Sequence, residues 1–243
     1  LNLLKGKFMK SLENIQRKIF IDCGTNMGMG FDQLAKSLSL NKEDGWEIYG
    51  FEPNKYAYQE YLNNIKSKRY STLNNNNIVL YNKAVWDKEE KIMFCHEAVT
   101  EFYGQERIDD LNEKYAKGEA LDFIKYDLPA TGGSCVKEIK EELDRPKEHD
   151  KMLTFLETSE VQAIDFSSWV VENFSKNDYI ILKMDIEGSE YKVLPHMIEN
   201  GSLSYVNKIY IEFHDWVLPT RRNQTDNLKK LIPAHGVELM LWG

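Results

Sequence analysis

The stretch Lys18-Ile-Phe-Ile-Asp-Cys-Gly-Thr-Asn-Met-Gly-Met-Gly-Phe31 constrains this chain more than any other. Its apolar run, Ile19 to Ile21, ends in Asp22 and enters a turn holding Gly24, Gly28 and Gly30, after which Asp32-Gln-Leu-Ala-Lys-Ser-Leu38 reads as a helix. A strand, a glycine turn and a helix in that order bring backbone N–H groups and a helix N-terminus close to a bound ligand, because glycine lacks a Cβ and tolerates positive φ. The expected ligand is a nucleotide or a molecule built like one.

The glycine spacing sorts the candidates. Gly24-x3-Gly28-x-Gly30 is neither the G-x-G-x-x-G of dinucleotide folds nor a P-loop. It resembles the first motif of class I S-adenosylmethionine (SAM)-dependent methyltransferases, in which Asp22, Gly24, Thr25, Asn26 and Gly28 would meet the cofactor. A second acidic residue follows at the distance of one βαβ unit. Glu47-Ile-Tyr-Gly-Phe-Glu-Pro-Asn54 reads as a short strand ending in Glu52, and a carboxylate there accepts hydrogen bonds from both hydroxyls of a ribose. The bland alternative is a turn or helix N-cap ahead of Pro53 and Asn54. Ile78 to Trp86 reads as the third strand, with Asn82 to Val85, including Ala84, at the edge where an adenine would lie.

Charge narrows the partners. With 31 Lys and Arg against 39 Asp and Glu, the net charge of −8 argues against a broad phosphate-binding surface and counts against a nucleic-acid substrate. The three cysteines, Cys23, Cys95 and Cys135, have no C-x-x-C spacing and indicate neither a disulfide framework nor a zinc cluster. No apolar run reaches membrane-spanning length, and the N-terminus lacks a signal peptide's apolar core. A cytoplasmic protein with no membrane partner is expected. Oligomeric state is not legible.

Residues 1–17 read as an N-terminal extension with a short basic helix, and 18–243 as a single domain. The expected fold class is α/β, a mostly parallel central sheet flanked by helices. Asn54 to Lys68 reads as a helix and Asn74 to Asn77 as a loop. Lys91 to His96 reads as a short strand with an antiparallel partner. Residues 97–158 break the alternation of strands and helices. Helical stretches at Ile108 to Lys117 and Val136 to Leu143 alternate there with Gly118, Pro129 and Pro146, and the segment reads as a cap over the substrate side. Thr131-Gly-Gly-Ser134 is its expected close approach. Regularity returns with strands at Val161 to Asp165, Tyr179 onward, Lys208 to His214 and Val237 to Trp242, and helices at Phe166 to Asn173, Tyr191 to Glu199 and Asn223 to Leu231.

Lys183, Asp185 and Glu187 alternate with Leu182, Met184 and Ile186, so an extended chain points all three polar side chains the same way. Glu212 and His214 share a face by the same rule. The span from Asp185 to Glu212 fits one strand, helix, strand crossover, which sets both groups side by side at the carboxyl edge of the sheet. The structural alternative is an ion-pair network, Lys183 with Glu187 or His214 with Glu212.

These residues together resemble the FkbM family of methyltransferases. The matching blocks are Ile21-Asp-Cys-Gly-Thr-Asn-Met-Gly28, Phe51-Glu-Pro-Asn54, Asn82-Lys-Ala84, Leu182-Lys-Met-Asp-Ile-Glu-Gly-Ser-Glu190 and Ile211-Glu-Phe-His214. The resemblance implies a Rossmann-like SAM-dependent O-methyltransferase acting on hydroxyls of sugars, glycans or related natural products. The sulfonium methyl is already electrophilic, so the enzyme must align it with the acceptor oxygen and handle that oxygen's proton. Asp185, Glu212, His214, Lys183 and Glu187 are the catalytic candidates, with His214 as the natural base and Asp185 also touching the cofactor. Alternatively Asp185, Glu212 and His214 bind Mg²⁺ or Mn²⁺. An RNA ribose methyltransferase and a non-catalytic binding domain are the competing readings.

Overall fold

The computed structural model describes residues 17–40, 43–68, 77–99, 113, 134–142 and 153–242. The expected basic helix, the Asn74 to Asn76 part of the loop, the stretch Ile108 to Lys117 (Glu113 apart), Gly118, Pro129, Thr131 to Gly133 and Pro146 lie outside them. Arg17 does not: its guanidinium donates to Glu47 at 2.9 and 2.7 Å.

The opening stretch forms β1 (Lys18–Cys23), buried throughout after Lys18. Ile19, Ile21 and Cys23 enter one hydrophobic cluster and Phe20 another, so β1 packs on both faces as an internal parallel strand does. Then come α1 (Met29–Ser37), β2 (Trp46–Phe51), α2 (Lys55–Ser67), β3 (Asn77–Tyr81), β4 (Ala84–Trp86) and β5 (Lys91–Val99). β6 (Cys135–Val136), α3 (Lys137–Glu142), β7 (Leu153–Asp165), α4 (Phe166–Asn173) and β8 (Tyr179–Met184) continue the chain. It closes with α5 (Glu190–Glu199), β9 (Lys208–Ile211), α6 (Arg222–Ala234) and β10 (Glu238–Leu241).

Six strands form a parallel sheet in the order β10-β9-β8-β1-β2-β3. From β1 the chain steps outward through β2 to β3, and from β8 it steps the other way through β9 to β10. The strand order therefore reverses at the β1/β8 seam, and a crevice opens outside the carboxyl ends at such a point. The expected α/β class with a mostly parallel sheet is what the chain forms. No helix of the described residues is long and apolar enough to cross a membrane. All three cysteines are free and buried.

Three elements differ from the sequence reading. Ile78 to Trp86 is two strands: β3 pairs with β2, whereas β4 pairs with β7 in a second sheet of order β4-β7-β5-β6. Asn82 separates them by donating its side-chain amide to the carbonyls of Glu52 and Pro53 at 2.8 and 3.2 Å, which draws the chain out of the ladder. β7 begins at Leu153 rather than Val161, because it pairs antiparallel with β5 from Lys91↔Gln162 to Val99↔Leu153. Both ends of the irregular segment are thus strands. Finally, β8 stops at Met184 and β9 at Ile211, so Asp185, Glu187, Glu212 and His214 lie beyond the strands, and simple alternation does not set their directions. Glu187 takes a left-handed backbone, φ 53°.

Candidate active site

Two glycines shape the crevice. Gly24 has φ +80°, and a Cβ there would stand 1.8 Å from the Asp185 carbonyl oxygen, so the turn after β1 lies directly on the turn after β8. Gly28 has φ +91°, and its Cβ would strike the Tyr61 ring at 2.4 Å. Gly30 sits inside α1, where a Cβ would meet only the Lys183 and Trp242 side chains at ordinary contact distance, 3.4 to 3.9 Å.

Between these turns and the end of β2 lies an open cleft, about 630 Å³ with the solvent at its mouth included. Gly24, Asn26, Glu52, Pro53, Ala84, Asp185 and Glu187 line it, together with Phe51, Val85, Phe94 and Ser134. Ser134 belongs to the segment expected to approach the site. Phe94 was not legible as a wall, because only the β5/β7 pairing brings it there.

The other expected cofactor residues stand behind the wall. Asn82 ties two loops together as described, and Asn54 accepts from the Ala57 N–H at the start of α2. Thr25 is buried over Gly50, where a Cβ would meet its methyl group at 2.7 Å. Gly28 supports the helix start, and Asp22 lies beneath the turn, 1% exposed.

Glu52 is held in place from two sides. One carboxylate oxygen accepts from the Asn26 N–H and the other from the Asn54 N–H, each at 2.8 Å. Each oxygen keeps a lone pair for a ligand hydroxyl. Burial pushes the Glu52 carboxyl up to about 7 against these bonds. A carboxyl raised in the folded state favours folding below its unfolded pKa, and that contribution is lost as pH rises through 7. Ligand-free protein is therefore expected to lose roughly 2–3 kcal/mol from Glu52 between about pH 4.5 and about pH 7.5. Thermal unfolding across this window checks it, with Glu52→Gln expected to flatten the profile.

The carboxyl ends of β8 and β9 carry the charged centre. Asp22 and Lys183 are direct partners in the β1/β8 register, and the Lys183 ammonium lies 3.2 Å from Asp22 and 3.5 Å from Asp185, donating also to the Gly24 carbonyl at 3.1 Å. Burial pushes the Asp22 carboxyl up to about 6, with Lys183 opposing. Burial also works against the Lys183 charge, but Asp22 and Asp185 outweigh it and hold its pKa raised.

His214 is 2% exposed. Its Nδ1 and its backbone N–H both meet Glu190 Oε1 at 3.0 Å, and Glu190 Oε2 accepts from the Gly188 N–H at 2.9 Å. On the other side His214 Nε2 stands 3.4 Å from Glu187 and 3.8 Å from Asp185. Burial lowers the imidazole pKa, but Glu190, then Glu187 and Asp185, drive it up to about 10. Burial pushes Glu187 up to about 8, opposed by His214, and also raises Glu212. The pairings expected for a structural network are therefore corrected. Lys183 pairs with Asp22 and Asp185 rather than Glu187, and His214 bonds Glu190 rather than Glu212, because Glu187 turns toward His214 after the strand has ended.

A family model for the methyltransferase FkbM domain matches residues 22–239. The chain belongs to that family. It is a methyltransferase-domain protein. No curated protein and no solved structure matches it. Within this FkbM domain, Glu190 was not singled out from the sequence as a site residue. It was visible inside Lys-x-Asp-x-Glu-Gly-x-Glu, but its bond to His214 spans a whole crossover, and no local spacing reveals it.

Proposed function

We propose that this FkbM protein transfers the methyl group of SAM to a hydroxyl of a sugar, glycan or related natural product. The observation that carries the reading is the joint placement of Glu52 and Asp185 on opposite sides of the Gly24 turn, within one cleft. Glu52, fixed by two N–H groups, suits the ribose hydroxyls, and Phe51, Ala84 and Val85 offer an apolar slot for the base. Asp185, which lines the same cleft beyond Gly24, would complement the positive charge of the sulfonium. The acceptor hydroxyl enters beside Asp185 and Glu187, in front of His214. Carboxylates suit a polyhydroxylated acceptor, since they accept several hydrogen bonds from adjacent hydroxyls.

In the transfer the methyl–sulfur bond breaks as the methyl–oxygen bond forms. The sulfonium would become a neutral thioether, and the hydroxyl proton would leave to the Asp185 carboxylate, since His214, driven up to about 10, already holds its proton and faces Asp185 at 3.8 Å. Lys183 holds Asp185 and Asp22 in place from beneath. Calorimetric titration with SAM and with its demethylated product, S-adenosylhomocysteine, tests the cofactor assignment, and micromolar binding is expected. Methyl transfer to a panel of sugars tests the acceptor. His214→Ala is expected to slow transfer by about 100-fold or more while leaving S-adenosylhomocysteine affinity nearly unchanged. Equal loss of both would remove His214 from the chemistry.

A further inference from the structure

We propose that Trp216 is the platform on which a sugar ring of the acceptor stacks, which makes the acceptor a carbohydrate rather than a natural product whose hydroxyl lies on a non-sugar skeleton. Trp216 is 60% exposed, whereas the other four tryptophans are buried or half-buried. Leaving an indole in water forgoes one of the largest apolar burials that any side chain offers. A loose loop is not the reason. The Val217 and Leu218 N–H groups both donate to the His214 carbonyl, at 3.2 and 2.9 Å, and Val217 and Leu218 are themselves 4% and 0% exposed. The turn is pinned to the core by these two side chains and holds the indole out in solvent.

That turn stands next to the cleft. Trp216 follows His214 by two residues, and His214 Nε2 lies 3.4 Å from Glu187, which lines the cleft with Asp185. The Leu218 side chain rests on the turn after Glu187, where a Cβ on Gly188 would stand 2.8 Å from it. The turn that displays Trp216 thus adjoins the side of the cleft where the acceptor hydroxyl is proposed to enter. The inference rests on that reading of the acceptor side, but its binding test does not require methyl transfer.

The surroundings favour a sugar over other partners. One face of a sugar ring presents C–H bonds made electropositive by the neighbouring oxygens, and these rest well on the negative face of an aromatic ring. The hydroxyls around the sugar then need acceptors and donors at the edge of the platform. Asp215, next to Trp216, supplies a carboxylate, and the 69% exposed Arg222 faces it at 3.7 Å with a guanidinium. A carboxylate accepts from two adjacent hydroxyls, and a guanidinium donates to sugar oxygens. A protein-docking patch would instead be contiguous and apolar over an area on the order of several hundred Å². The residues that flank Trp216 in its turn are an aspartate and a buried valine.

The test is saturation-transfer difference NMR of the whole chain, saturated with S-adenosylhomocysteine, against methyl glycosides of glucose, galactose, mannose, rhamnose and fucose and against maltose and cellobiose. At least one sugar is expected to bind, with its strongest signals from C–H protons on a single face. Trp216→Ala is expected to weaken that sugar by about tenfold or more and Trp216→Phe by less, with S-adenosylhomocysteine affinity within about twofold of the parent in both. Where the sugar is also methylated, its KM should rise in Trp216→Ala while kcat changes by less than about threefold. The inference is overturned if no sugar of the panel binds protein that holds S-adenosylhomocysteine, or if Trp216→Ala binds the sugar as tightly as the parent. It is also overturned if Trp216→Ala breaks an oligomer and leaves sugar binding unchanged, which would give the indole to a protein contact. A sugar held through Trp216 by protein that ignores SAM and S-adenosylhomocysteine would support the platform while removing the SAM reading.

Discussion

Gly24→Ala is expected to destabilise the protein by about 2–5 kcal/mol and to weaken S-adenosylhomocysteine binding by more than about tenfold. Two costs add. A left-handed backbone at φ +80° penalises any Cβ by about 1–2 kcal/mol, and here that Cβ would also lie 1.8 Å from a backbone oxygen of Asp185. Backbone cannot swing aside as a flexible side chain can, so the turns after β1 and β8 must separate, at a further cost of about 1–3 kcal/mol. For a chain of this length the melting temperature should fall by about 4–20 °C. Gly201→Ala is the control. Gly201 has φ +73° with nothing within 4 Å of its Cβ position, so it carries the conformational cost alone. If the two variants melt together, the seam is not as tight as its geometry states.

Lys183→Met is expected to cost about 3–5 kcal/mol, because it leaves the Asp22 carboxylate buried at 1% exposure without its cation. The double variant Asp22→Asn/Lys183→Met should recover much of that loss, since a neutral pair needs no compensation. Acidity distinguishes this cause from lost packing. Burial already pushes Asp22 up to about 6 with Lys183 in place, and removing the ammonium raises it further. The folded state then binds more protons than the unfolded one above about pH 4, so stability falls as pH rises through that window and returns as pH is lowered. Urea unfolding of Lys183→Met at about pH 5 and about pH 7 should show the acid condition more stable. No pH dependence beyond that of the parent would mean that Lys183 acts through its bulk.

What was legible in the sequence follows from what is local. The apolar run of β1, the acid at its end and the glycine turn stand within a few residues of one another, and their geometry is dictated by sterics that do not need the rest of the chain. Glu52 was legible for a related reason, since a βαβ unit has a fixed reach and sets the next strand's end beside the first. Crossover length likewise brought Asp185 and His214 to one edge. The side-chain directions there were a different matter. Alternation predicts facing only while the chain stays extended, and both strands end before the carboxylates begin.

The sequence by itself determined the α/β class, the parallel sheet, the glycine turn and the list of charged residues at the carboxyl edge, because each depends on local sterics, periodicity or a short connection. Tertiary structure alone decided that Lys183 neutralises Asp22, that Glu190 holds His214, that Asn82 splits one apolar run between two sheets, and that β5 carries Phe94 to the cleft. Those pairings join residues far apart in the chain, and they are chosen by strand register and by the need of buried charges for partners, which no single segment contains.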